Sequence, residues 1–358
     1  MTLIDRYVLS TFTRVLLWAL LAFLAVFVLI DLVDHIDDFI DDEARLVSVL
    51  KYYLYVIPQY IDFVLPISIM LASLFTVALL SKNQEYTAIL ASGTSLLRMS
   101  RTVLVFGILL TLFGAVWREE VVARANRLHT EVLEYEIEGR ERDRLEGRSN
   151  FTYVDRAGRV YVISRFRPRP PTLENLSIQT FTDSTLVQRI DVRRARWQED
   201  HWELQEGTIR SFQEGTESME SVSARRLDDP VVPPAYFAKP KIDPDEMNWR
   251  QLRDFASRVE STGGDPTPYR AEMATKLSFP FVNILVVVLG LALGAARRKP
   301  TLWSGFGITI GLAFGYYVLS DFGLELGKSG TIPLVISAWS GNVLYAIAGA
   351  ALFWRANR

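Results

Sequence analysis

The sequence predicts an integral membrane α-helical protein with six transmembrane helices in a 3+3 arrangement and an all-β domain inserted between the halves. Three observations carry that expectation. Hydrophobic residues make up 49% of the 358-residue chain and concentrate towards its two ends. Between them the pattern changes from helical periodicity to strand-like alternation punctuated by turn residues. Finally, Lys and Arg fall in alternate short loops, as the positive-inside rule requires of a polytopic protein. The expected division is residues 1–118 for the first three spans, 119–270 for the β domain with helical connectors, and 271–358 for the last three spans.

The first apolar run, residues 15–30, follows LIDRY and Arg14 and reaches, with one further turn, the ~20 residues needed to cross ~30 Å of hydrocarbon. It is too long for a cleaved signal and has no small-residue cleavage site after it, so it reads as a retained span. Next comes an acidic stretch, DLVDHIDDFIDDEARL, read as an outer loop. Residues 52–80 exceed one crossing, and Pro58 and Pro66 suggest an interfacial first part followed by a kinked span. A polar segment, SKNQEYTAILASG, separates this run from the third, residues 103–117. With Lys82, Arg98 and Arg101 beside it, that segment belongs inside, and the acidic stretch outside.

The middle region opens with a charged helical pattern, VVARANRLHTEVLEYEIEGRERDRLEG, expected to extend the third span beyond the bilayer. FTYVDRAGRVYVIS then reads as two strands around an Ala157-Gly158 turn. LSIQTF and LVQRIDVRRARW read as further strands, and residues 197–202 as a hairpin leading into WELQEGTIRSF. NWRQLRDFASRVEST is helical, and Gly263 and Gly264 return the chain to the membrane. The fourth span, residues 277–296, closes on Arg297, Arg298 and Lys299, the densest positive cluster in a short loop. The fifth and sixth spans, residues 303–322 and 333–353, lead to an inside tail with Arg355 and Arg358.

Composition narrows the function. A net charge of −2 and no basic patch interleaved with aromatics argue against nucleic acid as a partner. The absence of cysteine removes thiol chemistry and cysteine metal sites, and His35, His129 and His201 form no ligand pair. GLELGKS, residues 323–329, has one residue too few between its glycines for a phosphate loop and no strand before it. No carboxylate, histidine or lysine falls near the middle of a span, since Asp62, Asp321 and Lys276 lie at outer ends; ion-coupled transport is therefore disfavoured. With no catalytic motif, no cofactor site and no ion relay, the chain needs an outside motor.

The polar segment between spans two and three is the candidate contact for one. Ser81 and Gln84 fit a capping box, Gly93 fits a left-handed helix end, and Tyr86, Ile89 and Leu90 fall on one face of a helix over residues 83–92. Gly307, Gly311 and Gly315 in the fifth span, and Gly290 and Gly294 in the fourth, have the spacing of close helix packing.

Several stretches in order resemble the LptF/LptG permease family of the lipopolysaccharide-transport ABC machine, nearer its LptG branch. They are LIDRY, LVDHID, LPISIMLASLFTVALLSKNQEYTAILASG, YRAEMATKLSFPFVNILVVVLGLALG, FGYYVLSDFG and IPLVISAWSGNVLY. The resemblance implies an inner-membrane permease subunit with both termini cytoplasmic and a periplasmic β-jellyroll. It implies pairing with an LptF-type paralogous permease and driving by an LptB-type cytoplasmic ATPase dimer that holds ATP and Mg. It also implies lipopolysaccharide as substrate, passed on to LptC and LptA-type periplasmic proteins. Glu85, Ala88 and Gly93 match the family's coupling helix, with Tyr86, Ile89, Leu90 and Arg98 beside them. Leu20, Phe23, Phe27, Phe306, Ile310 and Phe314 are implied as walls of the lipid cavity. Better-known members carry basic residues at the outer end of the first span, where this chain has Asp31, Asp34, Asp37 and Asp38. Lipid phosphates would then be met through bridging divalent cations or through basic groups elsewhere, such as Lys276. The readings kept beside this one are a permease for another envelope lipid and a non-transporting envelope scaffold.

Overall fold

The computed structural model describes residues 2–139, 145–155, 158–182, 185–213, 216–227, 232–237, 239–240, 243–261, 265–296 and 302–356. The Arg297, Arg298 and Lys299 cluster, Ala157, Gly263, Gly264, Arg358 and the Leu90 side chain lie outside the described residues. The chain forms two compact units, one of residues 1–140, 244–253 and 267–358, the other of residues 141–243 and 254–266.

Among the described residues, the first unit holds six helices long and apolar enough to cross a membrane. They are α1 (Leu3–Asp41), α2 (Leu46–Lys82), the run from α4 (Leu96–Val116) through α5 (Ala123–Glu131) to Ile137, α7 (Thr267–Ser278) with α8 (Val282–Ala296), α9 (Leu302–Lys328) and α10 (Leu334–Ala356). The charged extension of the third span is helical as expected, with π-helical turns at Trp117–Val122 and Val132–Ile137. Val8, Phe12, Ile69, Met70, Val103, Val287 and Leu291 are buried in one core shared by α1, α2, α4 and α8. Packing there rests on small residues. A Cβ on Gly290 would lie 2.6 Å from Ser73 Cβ and 2.7 Å from the Met70 carbonyl, so α8 sits directly on α2. Polar groups within the bundle bond each other, as hydrocarbon offers no water to replace them. Tyr316 donates to Asn342 Oδ1 at 2.9 Å, and Asn342 Nδ2 donates to the Ser278 carbonyl at 2.7 Å.

One expectation is corrected here. The acidic stretch is not a loop: α1 continues through it to Asp41, and only a short turn precedes α2. Its apolar residues explain why. Phe39 is buried against Tyr52, Val56, Val132 and Ile137, giving this end of α1 a core of its own. Residues 52–80 lie within one continuous helix, α2, with both prolines inside it. Carbonyls near the prolines find other donors: Tyr317 Oη donates to Phe63 O at 2.7 Å, and Trp117 Nε1 to Pro58 O at 3.1 Å.

In the second unit, β2 (Arg148–Val154), β3 (Val160–Pro168), β4 (Pro171–Thr182), β5 (Thr185–Gln198), β6 (His201–Gln213) and β7 (Thr216–Arg226) form an antiparallel sheet in sequence order. β1 (Leu145–Glu146) pairs β8 (Lys239–Pro240). The jellyroll-like element is thus a nearest-neighbour meander, and among the described residues it does not close, leaving β2 and β7 as edges. Gly158, at φ +79°, makes the first hairpin, and Trp197 pairs Trp202 across the expected turn. One face carries the core of Tyr161, Ile163, Phe166, Leu176, Ile178, Trp202 and Phe237. Trp202 Nε1 donates to the Val232 carbonyl at 2.7 Å, satisfying its buried polar end.

Candidate functional site

The segment between α2 and α4 forms a short helix, α3 (Glu85–Ala91). Its start differs from the expected capping box. Ser81 is still inside α2, and Gln84 takes a left-handed conformation at φ +61° that breaks the two helices apart. Gly93 at φ +79° ends α3 as expected, and Ser95 then caps α4 by accepting from Arg98 N at 3.3 Å. Between these ends the faces separate. Tyr86 and Ile89 pack against the membrane-unit core, and that burial pushes the Tyr86 phenol above its ordinary pKa. Thr87, Ala88, Ala91, Ser92, Gly93 and Arg98 are exposed, and Glu85 is half-buried with one carboxylate oxygen reached by Asn83 Nδ2 at 3.3 Å. Tyr86 and Ile89 therefore anchor α3 to its own bundle, and the exposed residues around them are small or polar.

Of the expected wall residues, Phe23 and Phe306 come together, with parallel rings 6.1 Å apart. Phe27 packs at a tilt against Phe63 at 5.3 Å and Tyr60 at 6.0 Å, while Leu20 is half-buried against the core. Ile310 and Phe314 are exposed, the latter at 69%. Phe23 and Phe306 thus bring α1 and α9 together, while the ring partners of Phe27 lie on α2.

Lys276 instead lines a cavity of about 300 Å³ with Asp62, Arg118, Glu272, Tyr316 and Tyr317. Arg118 stands 3.8 Å from Asp62 and 3.6 Å from Glu272, and stacks over the Phe279 ring at 4.5 Å. Sequence reasoning noted Asp62 and Lys276 one at a time, but had no signal that a residue on α2, one after α4 and one on α7 converge. Asp31 likewise has a structural partner set. It is buried, and its Oδ1 accepts from Tyr52 and Tyr60. Asp34, Asp37 and Asp38 are exposed.

Six apolar helices, a β-sheet inserted between the third and fourth, and a small helix anchored between the second and third define a polytopic membrane protein with an extramembrane β unit. The chain belongs to the lipopolysaccharide export system permease LptF/LptG family, whose model matches residues 6–355. It is 20% identical over 348 residues to the lipopolysaccharide export system permease protein LptG of Escherichia coli K12, covering 94% of this chain and 93% of that protein. The same figures hold for the LptG protein of Escherichia coli O6:H1.

Proposed function

We propose that this chain is a membrane subunit of an ATP-driven exporter that lifts lipopolysaccharide out of the inner membrane. In this reading both termini and α3 are cytoplasmic and the β unit is periplasmic. An LptF-type chain pairs with the bundle, and an LptB-type ATPase dimer, holding ATP and Mg, docks on α3. The observation that carries the reading is the division of α3: Tyr86 and Ile89 are fixed in the bundle core while Ala88 and its neighbours face outward. A push on the outer face is thereby delivered to the spans, because a packed core transmits displacement rather than absorbing it. Small side chains on that face permit close approach by a partner, and Glu85 and Arg98 offer it charge. Phe23, Phe27, Phe306, Ile310 and Phe314 supply the apolar wall for acyl chains, and the open sheet edges offer backbone groups for strand pairing with LptC and LptA-type folds.

The test is co-purification and lipid-stimulated ATPase of the assembled complex. Ala88→Arg should block recovery of the ATPase with this chain. Glu85→Ala should lower lipid-stimulated hydrolysis while leaving the spans folded. Tyr86→Ala should keep the ATPase bound yet uncouple hydrolysis from lipid release. Full activity in all three variants would overturn the role of α3, and a chain that purifies with no nucleotide-binding subunit would favour the scaffold reading.

A further inference from the structure

The sheet of the β unit turns one face to its core and the other outward, and the outward face is strongly basic at one end. Strand register sets Arg167, Thr172, Arg196, Glu203 and Arg226 side by side in a row from β3 to β7. The next row on the same face runs Arg165, Glu174, Arg194, Gln205 and Ala224. All five arginines are exposed, whereas Phe166, Leu173, Ala195 and Leu204, which lie between the rows in sequence, are buried in the core. The two rows thus hold five guanidinium groups against two carboxylates.

Those carboxylates are already engaged. Glu174 is shared by Arg167, 3.0 Å away, and Arg165, at 3.8 Å. Glu203 Oε2 accepts from Gln198 Nε2 at 2.8 Å and Gln205 Nε2 at 2.9 Å, and Arg226 reaches Asp200 at the hairpin turn at 3.6 Å. Arg194 and Arg196 remain: among the described residues neither makes a hydrogen bond or an ion pair.

Spacing and composition indicate what meets them. Two residues apart on β5, Arg194 and Arg196 stand about 7 Å from each other, and the Arg165 and Arg167 pair repeats that interval two strands away, at about 10 Å. An extended acidic segment presents alternate carboxylates at the same interval, and each fits a guanidinium as a bidentate acceptor. A lipid needs apolar side chains beside its headgroup, and these rows carry none larger than Ala224. A nucleic acid needs aromatic platforms, and the rows have no ring. We propose that this face of the β unit docks an extended acidic segment of a partner protein, with alternate carboxylates on Arg194 and Arg196. The proposal goes beyond the permease reading and does not rest on it.

The experiment uses the full chain in phosphatidylcholine nanodiscs and reads fluorescence anisotropy at low and high salt. The probes are two labelled short peptides of equal composition, one alternating Glu and Thr and one with its glutamates in a single block, and a labelled water-soluble phosphatidylglycerol. Wild type should bind the alternating peptide more tightly than the block peptide, and salt should weaken that binding. Arg194→Gln combined with Arg196→Gln should weaken it roughly two- to thirtyfold, the range for two exposed ion pairs. Arg193→Gln should change it little, since Arg193 is held by Glu206 at 3.2 Å. Glu174→Gln should tighten it by freeing Arg165 and Arg167, a gain that loss of fold does not mimic. Absence of peptide binding, equal affinity for the two peptides, or binding undiminished in the double variant each overturns the proposal. So does binding of phosphatidylglycerol, lost in the double variant, in place of either peptide, because it assigns the face to lipid headgroups.

Discussion

Tyr52 Oη donates to Asp31 Oδ1 at 3.2 Å, tying α2 to the acidic end of α1. Tyr60, two turns further along α2, donates to the same oxygen, and the His129 ring packs on Tyr52 at 4.5 Å. Asp31 Oδ1 is thus the acceptor that two hydroxyls share.

That arrangement predicts different outcomes along one acidic stretch. Asp31→Ala strands two part-buried hydroxyls and should lower stability by roughly 2–3 kcal/mol, while Asp31→Asn keeps an acceptor and should cost less. Asp34→Asn alters an exposed side chain and should stay within about 0.5 kcal/mol. Thermal unfolding of the three variants in detergent checks this; equal losses at both positions would refute it.

Gly290 and Gly294 of α8 should behave oppositely to Gly307 and Gly311 of α9. Gly294, like Gly290, has backbone within reach, since an added Cβ would lie 2.9 Å from the Leu74 carbonyl. Gly290→Ala should therefore cost about 1–3 kcal/mol by forcing α8 off α2. At Gly307 and Gly311 an added Cβ meets nothing in this chain, and alanine there should be neutral or gain up to ~1 kcal/mol in helix propensity. A loss of assembly in Gly307→Ala, with the isolated chain as stable as wild type, would place a neighbouring helix on that face.

The spans were legible because runs of about twenty apolar residues have few alternative explanations. The first strands were legible through alternation and the glycine at the hairpin. β7 was not: TESMESVSARR is polar on both faces, and it pairs as an edge strand through its backbone. The acidic end of α1 was misread because composition outweighed spacing, although Leu32, Ile36, Phe39 and Ile40 recur at helical intervals. In α3 the apolar stripe was visible, but not the side on which its partner lay. Tyr86 and Ile89 look the same from sequence whether they meet another protein or their own bundle.

Trp202 is the anchor of the β unit, edge-on to Trp197 at 5.2 Å and to Phe237 at 5.7 Å. Trp202→Phe retains much of the packing but leaves the Val232 carbonyl without its donor, an expected loss of about 1–3 kcal/mol. Trp202→Ala should cost about 3–5 kcal/mol. Limited proteolysis of the full chain should show cleavage within residues 145–240 for the alanine variant first, with the spans still protected.

The two left-handed residues that bracket α3 give the last prediction. Gln84 at φ +61° carries a side chain where glycine is preferred, whereas Gly93 at φ +79° is already the favoured residue. Gln84→Gly should relieve up to ~1 kcal/mol of local strain, and Gly93→Val should add roughly 1–2 kcal/mol, since only the second puts a Cβ into a conformation that resists it. Both positions lie outside the core, so the global melting temperature should move little. Amide hydrogen exchange across residues 85–91 is the sensitive measure, expected to slow in Gln84→Gly and to quicken in Gly93→Val. If α3 works as a lever, lipid-stimulated ATPase should fall in Gly93→Val in step with lost protection, because a frayed helix transmits less of the motion imposed on it. Unchanged coupling despite rapid exchange would mean that the force passes through the α2 and α4 ends instead.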